Sequence, residues 1–407
     1  MKFRNTAIAL GIGAAAAAAG LSLLKVDKPV IIGSTVVFFA GGLMIAGRDE
    51  KGLNAHPENQ SQDSNKEKEK ELVMNAMEKL KVGDQNGALD ELNQAIEVNE
   101  TSLNDPQSSA LFNIRGGCQM NLGNLLEATN DFNKAIDINS NNASAYFNRG
   151  ACNYKNNDLQ GAINDFNKSI EINPNNAKAY FNLGNLYLDS EGEEEAIPFY
   201  TNSIEVDPSN SDAYFNRGLA YEGNYDFEEA VVDFKKVIEI DPKRADAYYK
   251  LGDILYSEIS NSEAESIKYL DKAIELDQTN AYAYFTRSKA RNYLKDYEGA
   301  LSDALKAYKI DPKLDDLDTD IASYYNDLGR HEDAIKWIDD EIAANRLTNI
   351  VINNVASGDE YIDASFYFER GRAQKALGDL KGACEDWKKA ADLGDEGAAE
   401  LLKEHAD

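Results

Sequence analysis

The sequence predicts an all-α chain in which helix pairs stack into a solenoid, preceded by an N-terminal transmembrane helical hairpin. Three observations support this prediction. From about residue 69 the chain repeats itself with a period of 34 residues. Each repeat holds two stretches with apolar residues at helical spacing, separated by a short polar turn. The N-terminal part holds two uncharged runs, each close to the length of a bilayer-crossing helix.

The two uncharged runs are residues 6–24 and 30–47, and five residues with three charges separate them. Small residues recur at every fourth position of the first run, a spacing that lets membrane helices approach closely. We therefore expect residues 1–47 to form a membrane anchor of two antiparallel helices. A cleaved signal peptide and a single anchor helix are the alternatives.

The charges around the two runs predict on which side of the membrane the remainder of the chain lies. Four basic residues flank the outer ends of the predicted hairpin, and only Lys25 and Lys28 lie between the runs. Loops rich in Lys and Arg stay on the cytoplasmic side, so we expect the remainder of the chain to be cytoplasmic. Residues 48–68 are polar with almost nothing apolar, and this composition predicts a flexible linker.

Composition excludes several classes of function. The chain carries 42 basic and 71 acidic residues, for a net charge of −29. This charge argues against nucleic acid as a partner, because phosphates are bound by Lys and Arg. Three Cys and three His leave little material for a zinc site or a catalytic triad. We therefore expect no cofactor, no metal, no small-molecule substrate and no enzymatic activity.

Three consecutive repeats share six positions in phase: an aromatic residue, a Gly, an Ala, a second aromatic residue, a small residue and a Pro. In the first of the three these are Tyr146, Gly150, Ala162, Phe166, Ser169 and Pro174. On these residues the chain resembles a tetratricopeptide repeat (TPR) protein. The resemblance implies a right-handed α-solenoid of about nine helix pairs over residues 69–405. Within it we expect an irregular insertion at 347–362 and a capping helix at 396–404.

Five repeats carry an Arg at one position and an Asp sixteen residues later. The pairs are Arg115 and Asp131, Arg149 and Asp165, Arg217 and Asp233, Arg287 and Asp303, and Arg370 and Asp386. Where Leu183 replaces the Arg, Phe199 stands at the partner position. We predict an Arg–Asp contact between the two helices of each such repeat. The alternative is a basic stripe that lines a binding groove.

The TPR resemblance implies that the first helix of each repeat lines a concave groove. The fifth and sixth residues of four consecutive repeats are Phe147 and Asn148, Phe181 and Asn182, Phe215 and Asn216, and Tyr249 and Lys250. An Asn side chain offers a donor and an acceptor to a peptide backbone. The row resembles the Asn ladder by which some superhelical TPR proteins hold extended peptides, with the aromatic rings against peptide side chains. The alternative is that these residue types are simply common in the repeat.

The sequence therefore predicts a membrane-anchored scaffold that binds proteins or extended peptides and supports complex assembly. A second candidate is a receptor for basic targeting segments, because residues 69–407 hold 34 basic and 65 acidic residues. A third is a regulatory subunit of a separate enzyme. The sequence does not identify the partner.

Overall fold

The computed structural model describes residues 57–98, 106–190, 192–353 and 364–405. These residues form nineteen α-helices and no β-strand. The predicted membrane hairpin, residues 6–24 and 30–47, lies outside the described residues. Among the helices that are described, none combines the length and the hydropathy needed to cross a membrane.

The chain divides into two compact units, Met1–Ser209 and Asn210–Asp407, called unit 1 and unit 2 below. In unit 1 the described helices form four pairs. They are α1 (Pro57–Lys81) with α2 (Gln85–Val98), α3 (Pro106–Asn121) with α4 (Leu125–Ile138), α5 (Ala143–Lys155) with α6 (Leu159–Ile172), and α7 (Ala177–Ser190) with α8 (Glu193–Val206). The second helix of each pair also packs on the first helix of the next pair within the unit. Unit 1 is therefore a stack of helix pairs.

Unit 2 continues the same plan with five pairs and a final helix. The pairs are α9 (Ser211–Gly223) with α10 (Phe227–Ile240), α11 (Ala245–Ser257) with α12 (Glu263–Leu276), α13 (Ala281–Tyr293) with α14 (Tyr297–Ile310), α15 (Leu317–Asp327) with α16 (His331–Asn353), and α17 (Ala364–Ala376) with α18 (Leu380–Asp392). Helix α19 (Glu396–Glu404) packs on α18. It has the bounds of the capping helix that the sequence predicts.

The helices of a pair come close at one glycine of the first helix. A Cβ placed on Gly116 would lie 2.7 Å from Cε1 of Phe132, and one on Gly184 would lie 2.6 Å from Cε1 of Tyr200. Both rings are completely buried. A side chain at either glycine would therefore push the two helices apart. The periodic Gly of the sequence is a close-packing position between helices.

The turn inside most pairs contains one residue in the left-handed backbone region. Four turns use Gly and two use Asn, but Tyr225 and Lys295 also have φ of 65°. An Asp often follows and caps the second helix, as Oδ1 of Asp158 accepts a hydrogen bond from the backbone N of Gly161 at 3.0 Å. Backbone conformation and cap together fix where the second helix begins.

Two segments differ from what the sequence predicts. Residues 57–68 belong to α1 rather than to a flexible linker. Glu and Lys are good helix formers, and Nζ of Lys70 lies 3.4 Å from Oε1 of Glu67, so the helix extends outward from the buried Leu72. Residues 347–353, expected to be irregular, continue α16.

Candidate peptide-binding face

The five predicted Arg–Asp contacts are all present, each as two hydrogen bonds between one guanidinium and one carboxylate. In the α5–α6 pair, Nε of Arg149 donates to Oδ2 of Asp165 at 2.8 Å, and Nη2 donates to Oδ1 at 2.7 Å. The distances in the other four pairs lie between 2.6 and 2.9 Å. The prediction is confirmed. These Arg side chains hold the helix pair together and do not form a free basic stripe.

Four of these Arg side chains also reach the preceding helix pair. Nη1 of Arg149 donates to Oδ1 of Asn133 on α4 at 2.7 Å, and Nη1 of Arg287 donates to Oδ1 of Asp271 on α12 at 2.6 Å. Arg115 and Arg370 make the equivalent bonds to Asn93 and Asp339. One side chain thus fixes both the geometry of its own pair and the stacking of that pair on its neighbour.

Apolar residues replace the ion pair in two repeats. Leu183 of α7 is completely buried and belongs to a cluster that also contacts Phe199 of α8. Leu251 of α11 is likewise buried, and Tyr269 of α12 packs against its cluster. The covariation seen in the sequence is therefore an exchange between a bidentate ion pair and an apolar contact.

In unit 1 three Asn side chains lie on consecutive first helices, and we call them the Asn row: Asn113, Asn148 and Asn182. Nδ2 of Asn148 donates to Oδ1 of Asn113 at 3.0 Å, so the row bridges α3 and α5. Asn182 on α7 is only 3% exposed, and neither Nδ2 nor Oδ1 has a hydrogen-bond partner in the described part of the chain. A buried amide without partners is unfavourable by about 1–3 kcal/mol. The sequence did not point to Asn113, because an aromatic residue usually stands at its position.

The aromatic residues beside the row lie between helices. Phe147 is 8% exposed, with its ring centre 5.6 Å from that of Phe166. Phe181 is completely buried, and its ring centre lies 5.8 Å from that of Tyr200. Both rings belong to the core of their own pair. The expectation that these two rings contact a partner's side chains is therefore corrected.

In unit 2 the predicted residues already have partners within the protein. Phe215 packs on Phe234 at 5.5 Å between ring centres and is covered by the guanidinium of Arg244 at 4.1 Å. Nζ of Lys250 lies 2.9 Å from Oε1 of Glu222. Asn216 is almost completely buried. Tyr249 is half-buried, and its ring centre lies 6.4 Å from that of Tyr282. The first helices of unit 2 thus carry charged and aromatic groups where unit 1 has the Asn row.

Several carboxylates on the first helices of unit 2 are partly buried. Burial raises the pKa of Glu222, although the nearby Lys250 opposes this shift. Burial also raises the pKa of Asp253, which accepts a hydrogen bond from Oγ1 of Thr286 at 2.8 Å. The pKa of Asp320 is raised to about 6, mainly by burial. These groups make the unit 2 face polar and acidic.

Cys118 of α3 and Cys152 of α5 are buried thiols. Burial raises the pKa of the Cys118 and Cys152 thiols to about 11, so both stay protonated at neutral pH. No three His, Cys, Asp or Glu side chains among the residues described are arranged to hold a metal ion.

Models of tetratricopeptide repeats match consecutive segments of the chain. Models described as TPR repeat and tetratricopeptide repeat match residues 120–157, 153–190, 177–210, 199–232, 226–257 and 245–280. The matched segments run without a gap over residues 120–280. The chain contains tetratricopeptide repeats. No curated protein matches it significantly in sequence.

Solved TPR structures resemble this chain in fold. The C-terminal part of a TPR repeat-containing protein from Cytophaga hutchinsonii is 17% identical, with a TM-score of 0.50, and the match covers 60% of this chain and 98% of that one. A tetratricopeptide repeat protein from Parabacteroides merdae is 20% identical, with a TM-score of 0.43, and the match covers 63% and 99%. YrrB, described as a TPR protein with an unusual peptide-binding site, is 24% identical, with a TM-score of 0.42, and the match covers 45% and 93%.

The repeats and the all-α architecture establish a TPR solenoid plan for the described residues. TPR folds are typically scaffolds that bind proteins or peptides, and none of the matching family models describes a catalyst. Fold similarity alone does not assign a partner.

Proposed function

We propose that this protein is a scaffold that binds an extended peptide segment of a partner protein against the Asn row of unit 1. The observation that carries the proposal is the Asn182 amide, which is buried without hydrogen-bond partners. A peptide backbone offers a carbonyl acceptor and an N–H donor at regular intervals, which match the two halves of an Asn amide. A small opening beside Asn182 would let a bound backbone satisfy both groups.

Asn148 supports the same mode of binding. Its Nδ2 group is oriented by Asn113, and the residue is half-exposed. Amides on consecutive first helices therefore lie along one face of unit 1, and bonds fixed before binding reduce the ordering cost of the complex. On unit 2 by itself, Asn216, Phe215, Tyr249 and Lys250 are the residues proposed to contact a peptide, while Phe147 and Phe181 hold the first helices of unit 1 in place.

We also propose that residues 6–24 and 30–47 anchor the chain in a membrane, with the repeats on the cytoplasmic side. The two uncharged runs and the basic residues at their outer ends support this part of the proposal. A cleaved signal peptide is the competing reading of the first run. In our proposal the protein acts by assembling other proteins and has no catalytic activity of its own. Carbonate extraction of the full chain separates an integral from a peripheral protein, and N-terminal sequencing of the mature chain tests for cleavage.

A receptor for basic targeting segments is a second candidate. The partly buried Glu222, Asp253 and Asp320 of unit 2 favour it, as does the net charge of the repeat region. Binding driven by these charges should weaken steeply with salt, whereas binding through Asn amides should change little. In the third candidate, a regulatory subunit, the captured partner would be an enzyme whose activity changes on binding.

The test is crosslinking of partners to the full-length chain, with and without Asn148→Ala and Asn182→Ala together. Asn164→Ala with Asn167→Ala is the matched control, because both residues are exposed on α6, the second helix of the α5–α6 pair. We expect the first double variant to lose most crosslinked partner and the control to keep it. Equal capture by both variants would rule out the Asn row as the peptide site.

A further inference from the structure

A pocket of about 570 Å³ lies near the end of unit 2 and is separate from the residues discussed so far. The apolar part of its lining comes from Phe368 and Ala376 of α17, Trp387 of α18 and Leu401 of α19. This volume falls in the range of sites that bind small molecules or a large side chain. Helix α18 packs on both α17 and α19, which brings these three helices together.

Four polar side chains also line the pocket: Asn326, His331, Arg372 and Lys375. Lys375 is exposed, and its ammonium lies 5.7 Å from the centre of the Trp387 ring. In the part of the chain that the structure describes, no carboxylate lies within ion-pair distance of this ammonium. Arg372 also lines the pocket, but it is paired with Asp327 at 3.0 Å and with Glu369 at 2.9 Å. Lys375 is therefore the rim cation that a ligand would meet unpaired.

Nε1 of Trp387, a residue that lines the pocket, is buried without a hydrogen bond to the described residues. Oε1 of Gln374 on α17 and Nε2 of His405 are also buried without such a bond. Trp387 is completely buried, and His405 stacks on it with 5.9 Å between ring centres. Buried polar atoms without partners are rare and mark places where a ligand or water completes the structure.

The charge of this end differs from that of the other repeats. Residues 364–405 hold seven basic and nine acidic residues, for a net charge of −2. The rest of the repeat region, residues 69–363, holds 27 basic and 55 acidic residues. Most of the repeat region would repel an acidic ligand. At this end the repulsion would be weaker, and the ligand could pair with the ammonium of Lys375.

We propose that this pocket binds an acidic peptide segment that carries an apolar side chain beside a carboxylate. The apolar side chain enters between Phe368, Trp387 and Leu401, and the carboxylate pairs with the ammonium of Lys375. This site does not depend on the Asn row of unit 1, so either proposal can fail without the other.

The experiment measures fluorescence anisotropy of a labelled synthetic peptide in which Asp and Leu alternate, with the full-length protein. We expect Lys375→Glu to weaken binding about tenfold, because it turns an attraction into a repulsion at one exposed position. Ala376→Phe should weaken binding at least as much, because it fills the pocket. Lys381→Glu makes the same change of charge on α18, where the side chain is 90% exposed and outside the pocket, and should leave binding unchanged.

Two comparison peptides test the ligand chemistry. Replacing every Asp by Asn should remove most of the binding, and so should replacing every Leu by Ser. Circular dichroism confirms that each variant protein is folded. Binding that is insensitive to both Lys375→Glu and Ala376→Phe would overturn the proposal, and so would an equal loss with Lys381→Glu or equal binding of the Asn peptide.

Discussion

The guanidinium of Arg115 and the carboxylate of Asp131 join α3 to α4 through two hydrogen bonds, Nε to Oδ2 at 2.8 Å and Nη2 to Oδ1 at 2.6 Å. The remaining Nη1 group donates to Asn93 of the preceding pair at 3.0 Å. The carboxylate is almost completely buried. Two charges held this closely give directional bonds that apolar side chains lack.

Arg115→Leu should lower the free energy of unfolding in urea by about 3 kcal/mol, because it leaves the buried Asp131 carboxylate without its partner. Adding Asp131→Phe should recover most of that loss, because the double variant copies the Leu183 and Phe199 pair of α7 and α8. Arg330→Leu serves as the control, since Arg330 pairs with Asp333 at the surface, where water screens the ion pair, and its loss should lower the free energy of unfolding far less. Equal losses for Arg115→Leu and Arg330→Leu would contradict this account.

Two neighbouring glycines of α3 should respond to alanine in opposite directions. A Cβ on Gly116 would lie 2.7 Å from Phe132, whereas a Cβ on Gly117 would have nothing within 4 Å. Gly116→Ala should destabilise the protein by about 1–3 kcal/mol. Gly117→Ala should stabilise it by about 0.5–1 kcal/mol, because Ala is the better helix former. Thermal unfolding measures the stability of both variants. If Gly116→Ala also stabilised the protein, helix propensity would outweigh packing at this position.

Stability should depend on pH through Asp320. An Asp in the unfolded chain has a pKa of about 3.9, whereas the pKa of Asp320 in the folded chain is about 6, mainly because the group is buried. Between these values the folded state keeps a proton that the unfolded state has released. Asp320 therefore makes the protein less stable as the pH rises from about 4 to about 6, by about 3 kcal/mol once both states are ionised.

Asp320→Asn tests this effect by urea unfolding at two pH values. The variant should be more stable than the native chain at pH 7.5 by about 3 kcal/mol and equally stable near pH 4. Asp315→Asn makes the same substitution on an exposed neighbour and is the matched control. A constant difference between Asp320→Asn and the native chain at both pH values would mean that the amide acts by packing rather than by charge.

Asn182→Leu should stabilise the protein and impair partner capture. Leucine removes an amide that is buried without partners, which should raise the free energy of unfolding by about 1–3 kcal/mol. The same change deletes the donor and acceptor proposed to meet a peptide backbone, so crosslinking of partners should fall. Opposite effects on stability and binding are typical of residues kept for function. A variant that is more stable and still captures partner fully would show that Asn182 has no part in binding.

Much of the fold can be predicted from the sequence because the same residue pattern recurs in each repeat. The 34-residue period locates the helix pairs, and the paired Arg115 and Asp131 predict a contact between helices that the structure confirms. The bounds of the helices at the ends of the repeat region are harder to predict. Residues 64–68 are exposed, and the helix over 57–68 depends on propensity and on continuity with the packed part of α1, which composition alone does not reveal.

The candidate site is less predictable than the fold. Phe147 and Phe181 stand at positions that the TPR resemblance assigns to a groove, but their rings lie between helices, because periodicity does not show how far a side chain is inserted. Asn113 has no signal in the repeat pattern, since its contact with Asn148 exists only when α3 and α5 stack. The burial of Asn182 likewise depends on packing.

The bond that joins a helix pair to its predecessor changes its chemistry from repeat to repeat. Arg149 and Arg287 make this bond in repeats that carry the ion pair. At α7 and α11, where Leu183 and Leu251 stand in place of the Arg, other side chains make it. Tyr154 of α5 donates to Oδ2 of Asp189 on α7 at 2.9 Å, and Nζ of Lys250 on α11 lies 2.9 Å from Oε1 of Glu222 on α9. Resistance to sliding within each unit is therefore distributed over several side-chain types, and replacing one Arg by Leu does not by itself leave a joint without directional bonds.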